Sequence, residues 1–283
     1  MFQNLTSGEK LLDLWPYLLA ATGIGVGIVT GFFKARRIQP GRFKWITFRN
    51  EAIFAAINLV VTGFTLGPLN SILRKKGFIV LNHATVSWWV VALEFAVYFV
   101  LFDTWFYWLH RGMHKEPFYK WIHKLHHRST SPNLLTTFSV SPLESLVNGG
   151  FLPVFLTSAT LIFGGAHDKS VALIVPFTIW MGLYVHSGHE FLPRWWNRTW
   201  ATKWFITTTF HDQHHKYFNY NFGGYSQVWD YLCGTVRKKY ETDFESPKGS
   251  RIDTAAAPAD NPANSVARPE SAPAGGALAA GTR

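Results

Sequence analysis

From Leu14 to Phe33 the chain carries no charged residue, and from Ala52 to Leu73 it again carries none. Each run has the roughly 20 residues that a helix needs to cross a hydrocarbon layer about 30 Å thick. A third run, Val86 to Leu109, is interrupted only by Glu94 and Asp103. Two more, Asn148 to Ala166 and Ser170 to Val185, flank a polar break at His167-Asp168-Lys169. They read as a helical hairpin whose second arm is short for a full crossing, so a tilted or partial pair is expected. Charged residues make up only 16% of the chain, against roughly 25% in soluble domains, which argues against an ordinary cytosolic enzyme. The expected fold is mainly α, an integral-membrane helical bundle of four to five spans. A cleaved signal peptide is the rival reading of the first run, but no basic segment precedes it and Glu9, Lys10 and Asp13 crowd its start. Gly23, Gly27 and Gly31 recur on one face of that run and permit close helix packing in lipid.

The net charge is +10, from 27 Lys and Arg against 17 Asp and Glu. These cations lie between the apolar runs, as in Lys34-Ala-Arg36-Arg37, Arg42, Lys44, Arg49 and Arg74-Lys75-Lys76, rather than along one recognition helix, which argues against nucleic-acid binding. With the N-terminus outside and the runs alternating, 34–49, 110–144 and everything after His186 face the cytoplasm. That satisfies the positive-inside bias except at Arg74-Lys75-Lys76. Most of the histidines therefore lie on the expected cytoplasmic side. A mean hydropathy of +0.04 averages this apolar body with an Ala/Pro-rich end. After Arg251 the composition cannot bury enough apolar area to offset ordering entropy, so 251–283 reads as a disordered tail. The chain divides into transmembrane helices over 1–109, a histidine-box catalytic region over 110–250 that includes the hairpin at about 148–185, and the tail. The tail's bacterial look suggests a bacterial inner membrane.

Histidine carries the chemistry. A single cysteine, Cys233, excludes an internal disulfide, a Cys-ligated iron-sulfur cluster and a zinc ribbon. Of 12 histidines, ten fall into four groups: His110/His114, His123/His126/His127, His186/His189 and His211/His214/His215. Residues three and four apart share a helix face, so each group is expected to present its imidazoles in one direction. Eight or more neutral imidazoles exceed the four to six ligands of one ion, and two metals are implied. Imidazole suits zinc, copper, iron and nickel, and spacing does not choose among them. His83 and His167 stand alone near span ends and read as ordinary interfacial residues. Asp103, Tyr107, His110 and His114 form one helical stripe, which makes Asp103, with Tyr107, the candidate second shell that accepts a hydrogen bond from a ligand imidazole. Glu144, Glu190 and Asp212 are further carboxylates near the groups. The zinc-protease pattern H-E-x-x-H, a G-x-S-x-G elbow and a phosphate-binding lysine loop are all absent. A membrane zinc hydrolase, a metal transporter and a bis-histidine haem protein remain as alternatives.

The spacing His110/His114, His123/His126/His127 and His211/His214/His215 resembles the H-x3-H, H-x2-H-H and late H-x2-H-H pattern of the fatty acid hydroxylase superfamily, with its sterol desaturase and methylsterol oxidase branches. Asp103-Thr-Trp-Phe-Tyr-Trp-Leu-His110-Arg111 is similar to the acidic and aromatic approach to that family's first box. Ser141-Pro142-Leu143-Glu144 stands where members carry H-P-x-E, and His186-Ser-Gly-His189-Glu-Phe-Leu-Pro193 is similar to their H-S-G-Y-x-F-P. Asn221-Phe-Gly and Trp229-Asp230-Tyr-Leu-Cys-Gly234-Thr235 match the stretch after the last box. The likeness runs from about Leu81 to Thr235, with Ser141 in place of a histidine and His189 in place of a tyrosine.

That resemblance implies a mainly helical membrane enzyme whose cytosolic, histidine-rich helical cap over the spans holds a non-haem di-metal centre, and which uses O2 and two external electrons to hydroxylate or desaturate a C–H bond of a membrane lipid. It implies two iron ions, for which zinc can substitute in purified protein, held by His110, His114, His123, His126, His127, His186, His211, His214 and His215. His189 is a further candidate ligand beside His186. An external ferredoxin, cytochrome or reductase would supply the electrons, and Lys120, Lys124, Arg128, Lys216, Arg237, Lys238 and Lys239 could steer an acidic donor. Trp105, Trp108, Trp180, Trp195, Trp196 and Trp204 are candidates for a lipid channel or for interfacial anchors. The sequence leaves the oligomeric state and the particular lipid open.

Overall fold

A computed structural model describes residues 36–39 and 45–246. The expected first span at Leu14–Phe33, with its glycine face, and the tail after Arg251 lie outside the described residues. Within them, four helical segments are long and apolar enough to cross a membrane. Helix α1 spans Trp45–Lys75 and α2 spans Trp88–Met113. The third segment is broken into α3 (Pro142–Gly149) and α4 (Phe151–Phe163), and α5 spans Asp168–Val185. The break at Gly150 follows from Pro153, which offers no amide and crowds the carbonyl four residues earlier. The hairpin expected over 148–185 therefore starts six residues early, at Pro142, where Ser141 caps α3 by accepting from the Glu144 amide at 3.1 Å.

All four segments leave large apolar side chains exposed, as lipid-facing helices do; Phe64, Val100, Phe163 and Leu173 are examples. The buried stripe of α1 is Glu51, Ala55 and Asn58, one face of the helix, turned toward α3 and the turn Leu134–Thr137. Helix α2 packs on α5 around Tyr98, Phe102, Phe151, Ile174 and Met181, the centre of the main apolar core.

The connections at one end of the bundle are short and tied together. Strand β2 (Leu81–Asn82) pairs in parallel with β3 (Ala166–His167). The two isolated histidines sit here. His83 Nδ1 lies 3.0 Å from Asp168, and His167 Nδ1 lies 2.7 Å from Glu94. Glu94, one of the two acids interrupting the third apolar run, thus closes the far-end connection.

The other end carries the long connections. After α2 come a π-helical turn, Tyr119–His123, and two 3-10 turns, His126–Arg128 and Leu134–Thr137. After α5, strand β4 (His189–Glu190) pairs antiparallel with β1 (Arg36–Arg37). Helices α6 (Thr208–Tyr217), α7 (Val228–Cys233) and α8 (Tyr240–Glu245) complete this side. This is the histidine-rich helical cap that the sequence led us to expect, formed from two separated stretches of chain.

Candidate metal centre

Helix α6 brings His211, His214 and His215 to the centre of the cap. Thr207 caps it through the Phe210 amide, and the buried Glu190 accepts from the Thr209 amide and hydroxyl at 3.0 and 2.7 Å. Glu190 is therefore a helix cap rather than a partner of any histidine. Asp212 is turned away as well, accepting from Gln39 Nε2 at 2.9 Å, and burial lifts its carboxyl to about 7.

Nine histidines converge in two adjacent groups. One holds His110, His114, His123, His127 and His214; the other holds His126, His186, His211 and His215. The sequence groups do not map one to one onto these. Pairs four apart, His110/His114, His123/His127 and His211/His215, stay together, whereas His126 and His214, each three from a neighbour, cross to the other group. A step of four residues leaves side chains about 40° apart on a helix and a step of three about 60° in the opposite sense, so an H-x2-H-H box faces two ways. The expectation that each box points in one direction is corrected accordingly. His189 joins neither group. Its ring turns back to the Ser187 carbonyl at 3.0 Å, because residues 189–190 are extended in the pair with β1.

The imidazole tautomers follow from their outer partners. Nδ1 of His110 lies 2.8 Å from the Phe222 carbonyl, that of His186 2.7 Å from Gly182, that of His214 2.8 Å from Tyr220 and that of His215 2.9 Å from Ser129. A carbonyl only accepts, so each Nδ1 carries the proton and each Nε2 keeps its lone pair. His123 Nδ1 makes the corresponding bond to Glu144 Oε1 at 2.9 Å. The Nε2 atoms then face one another: His110 and His123 at 3.0 Å in one group, His186 and His215 at 3.3 Å in the other, with His127 and His214 at 3.0 Å and His211 and His186 at 2.9 Å beside them. In the first two pairs both Nδ1 atoms carry the proton, so the lone pairs are aimed at each other and repel unless a cation sits among them. Metal–imidazole bonds of about 2.1 Å meeting at right or tetrahedral angles give edges of about 3.0 to 3.4 Å, so both groups fit a metal ion.

Burial holds the imidazoles of His114, His123, His126, His127, His211, His214 and His215 well below their usual range, and that of His186 at about 4. They are neutral at physiological pH, the state that ligates metal. Phe218 closes the side of the first group, with ring centroids 4.4 Å from His127 and 5.0 Å from His114, and Tyr119 packs behind it.

The carboxyl of Asp103 touches no histidine, which corrects its expected role. It accepts from the amides of Tyr225 and Ser226 at 2.9 and 2.8 Å and from the Ser226 hydroxyl. Tyr107 likewise meets Thr235 at 3.0 Å, and Thr235 donates to Asp230 at 2.6 Å. Asp230 in turn accepts from the amides of Phe222 and Gly223 at 2.8 and 2.7 Å. These residues fix the loop whose Phe222 carbonyl orients His110, one step further out than the helical stripe suggested. The acceptors that sequence reasoning missed are backbone carbonyls of Phe222, Tyr220, Ser129 and Gly182, which no side-chain pattern marks. Only Gly182 leaves a trace, because a Cβ there would lie 2.7 Å from Thr137.

Four segments able to cross a membrane, capped by two groups of converging imidazoles, define a membrane protein with two candidate histidine metal sites. The fatty acid hydroxylase family profile matches residues 95–235. A methylsterol monooxygenase of Aspergillus fumigatus is 32% identical over 260 residues, 82% of this chain and 85% of its own. A C-4 methylsterol oxidase of Candida albicans is 37% identical over 148 residues, 50% of this chain and 46% of its own. A Delta(7)-sterol 5(6)-desaturase of Leptosphaeria maculans is 31% identical over 157 residues, 56% of this chain and 40% of its own. This chain thus spans less than half the length of the last two. No solved structure matches it. The chain belongs to the fatty acid hydroxylase family and is an oxidoreductase embedded in a membrane. These relatives are eukaryotic and lend no support to the bacterial inner membrane that the Ala/Pro-rich tail suggested.

Proposed function

We propose that the nine converging histidines hold two iron ions, and that the chain uses O2 and two electrons from an external donor to hydroxylate or desaturate a C–H bond of a sterol-like or fatty-acyl membrane lipid. The observation that carries this reading is the pair of Nε2 clusters, five and four imidazoles, side by side at coordination-edge spacing. The names of the relatives, a methylsterol monooxygenase, a C-4 methylsterol oxidase and a sterol desaturase, support an oxidised lipid and lean toward a sterol-like one. Bound iron would supply the oxidising power for C–H cleavage. Hydroxylation consumes O2, two electrons and two protons and yields an alcohol and one water; desaturation with the same inputs yields an alkene and two waters.

The chain's own part is positional. Carbonyls of Phe222, Tyr220, Gly182 and Ser129 hold the imidazoles in the ligating tautomer, and Glu144 does so for His123. Phe218, Phe222 and Tyr119 pack against the rings and exclude water. The apolar spans keep the substrate in the bilayer while one of its carbons is presented to the cap. Positive-inside bias puts that cap at the cytoplasmic face, where a ferredoxin, cytochrome or reductase could dock. Membranes holding the protein, given a reductant, should convert added sterol or fatty-acyl lipid only when O2 is present, with one oxygen atom of 18O2 in an alcohol product. Equal turnover without O2 would overturn this in favour of a hydrolase.

A further inference from the structure

The geometry points to a second membrane-contacting surface on this protein: a wedge of the cap, the irregular stretches 204–206 and 225–227 with helix α7, that is immersed in the acyl region of the leaflet on the histidine side.

Helix α2 provides the ruler. Exposed Trp88 and Trp89 mark one end, and exposed Trp105 and Trp108 the other. At about 1.5 Å per residue, Trp88 and Trp108 are about 30 Å apart, one hydrocarbon thickness with an aromatic belt at each side. On that scale Phe99 lies about 9 Å inside Trp105 and about 14 Å inside Trp108 on the histidine side. Yet Phe99 meets cap residues: its ring is 5.2 Å from Tyr225 and 6.5 Å from Phe205. Phe102 stacks on Tyr225 at 4.8 Å, and Trp229 donates to Thr104 at 3.1 Å. The cap therefore runs down the side of α2 rather than resting above it.

Irregular backbone at such depth must have its polar groups satisfied by protein. This wedge meets that demand. Phe205 bridges to Ser226, the Ile206 amide donates to Tyr225 at 3.1 Å, and the Gln227 amide donates to Trp204 at 2.7 Å. Gln227 Nε2 covers the Phe205 carbonyl at 2.9 Å, and the Phe205 amide donates to Thr202 at 3.1 Å. The amides of Tyr225 and Ser226 are taken by Asp103, an acid whose place inside a span is otherwise costly. The wedge exposes apolar side chains, Phe205 at 48% and Leu232 at 71%, with Trp200 nearby in sequence at 78%. Between residues 194 and 232 the only acids are Asp212 and Asp230, both buried, while Arg194 and Lys203 supply cations suited to headgroups; Arg198 is paired with Glu245. A lipid carbon can then reach the cap without leaving the bilayer.

The test uses the full chain in lipid nanodiscs. With Cys233→Ser removing the single native cysteine, a nitroxide is placed by Phe205→Cys, and separately by Leu232→Cys in case the first variant folds poorly. Val100→Cys on the lipid face of α2 and Lys238→Cys on an exposed turn serve as references. Collision rates with O2, which partitions into lipid, and with a water-soluble nickel chelate are read by EPR. Labels at 205 and 232 should give an oxygen-to-nickel ratio matching that at 100 and several-fold above that at 238. A ratio matching position 238, or protection from both reagents as beneath a protein partner, would overturn the proposal.

Discussion

His123 and Glu144, 21 residues apart, meet in the buried interior with Nδ1 and Oε1 2.9 Å from each other, while Glu144 Oε2 has no hydrogen-bond partner among the described residues. Ser141 and Glu144 have the spacing of a helix capping box. The serine caps α3, but the glutamate side chain is turned to the imidazole. Among the described residues it is the carboxyl that touches one of the nine converging histidines; the other resolved Nδ1 partners named above are carbonyls. Glu144→Ala should therefore weaken metal binding by the five-histidine group about 10- to 100-fold and leave the four-histidine group loaded. Metal content measured during a chelator titration reads the two sites separately. Simultaneous loss of both ions, or none, would count against this assignment.

The depressed imidazoles fix the pH response. Folded, these histidines bind protons only far below 6.5, with His186 at about 4, whereas unfolded they bind them near 6.5. Below that value the unfolded chain takes up more protons, so their contribution to stability is full above about 6.5 and is lost as pH falls toward 4. Thermal unfolding in detergent should show the melting temperature falling through this window, with metal released alongside. A melting temperature that is flat between those limits contradicts the neutral, buried state of these rings.

Asp103 should behave as a scaffold residue. Asp103→Ala strands two amides and a hydroxyl, each worth about 1–3 kcal/mol when left unsatisfied, so the variant should unfold earlier and lose hydrogen-exchange protection at Tyr225 and Ser226. Asp103→Asn, which keeps one acceptor, should lie between. If metal content collapsed while exchange at 225–226 stayed unchanged, Asp103 would be acting on the ligands directly.

Ligand and bystander histidines should separate cleanly. His126→Ala and His214→Ala each remove an Nε2 from a group and should abolish turnover. His189→Ala and His83→Ala, in neither group, should retain both ions and most of the activity. Comparable losses across all four would dissolve the partition into five and four.

Much of this architecture is legible in the chain itself because lipid imposes long, charge-poor runs and because histidine is rarely clustered without cause. The spans of α2 and α5 and the nine converging histidines follow from those two signals. The division of the boxes between two groups does not, since it depends on the angular difference between steps of three and four and on a π-helical turn at Tyr119–His123 that no composition rule marks. Nor does the role of Asp103, whose helical stripe points toward His110 while its carboxyl is taken by Tyr225 and Ser226, more than 120 residues away. Contacts made by backbone carbonyls leave almost no trace in side-chain spacing. The same holds for His189, which has a ligand's spacing from His186 but lies in an extended pair with Arg37.

The most direct measurement is the metal content of the full chain purified from iron-supplemented cells, quantified per chain and by element. The paired clusters predict two iron ions per chain, falling to one when either group loses a central histidine. A single ion per chain, or zinc alone in protein whose turnover is indifferent to O2, would contradict the account.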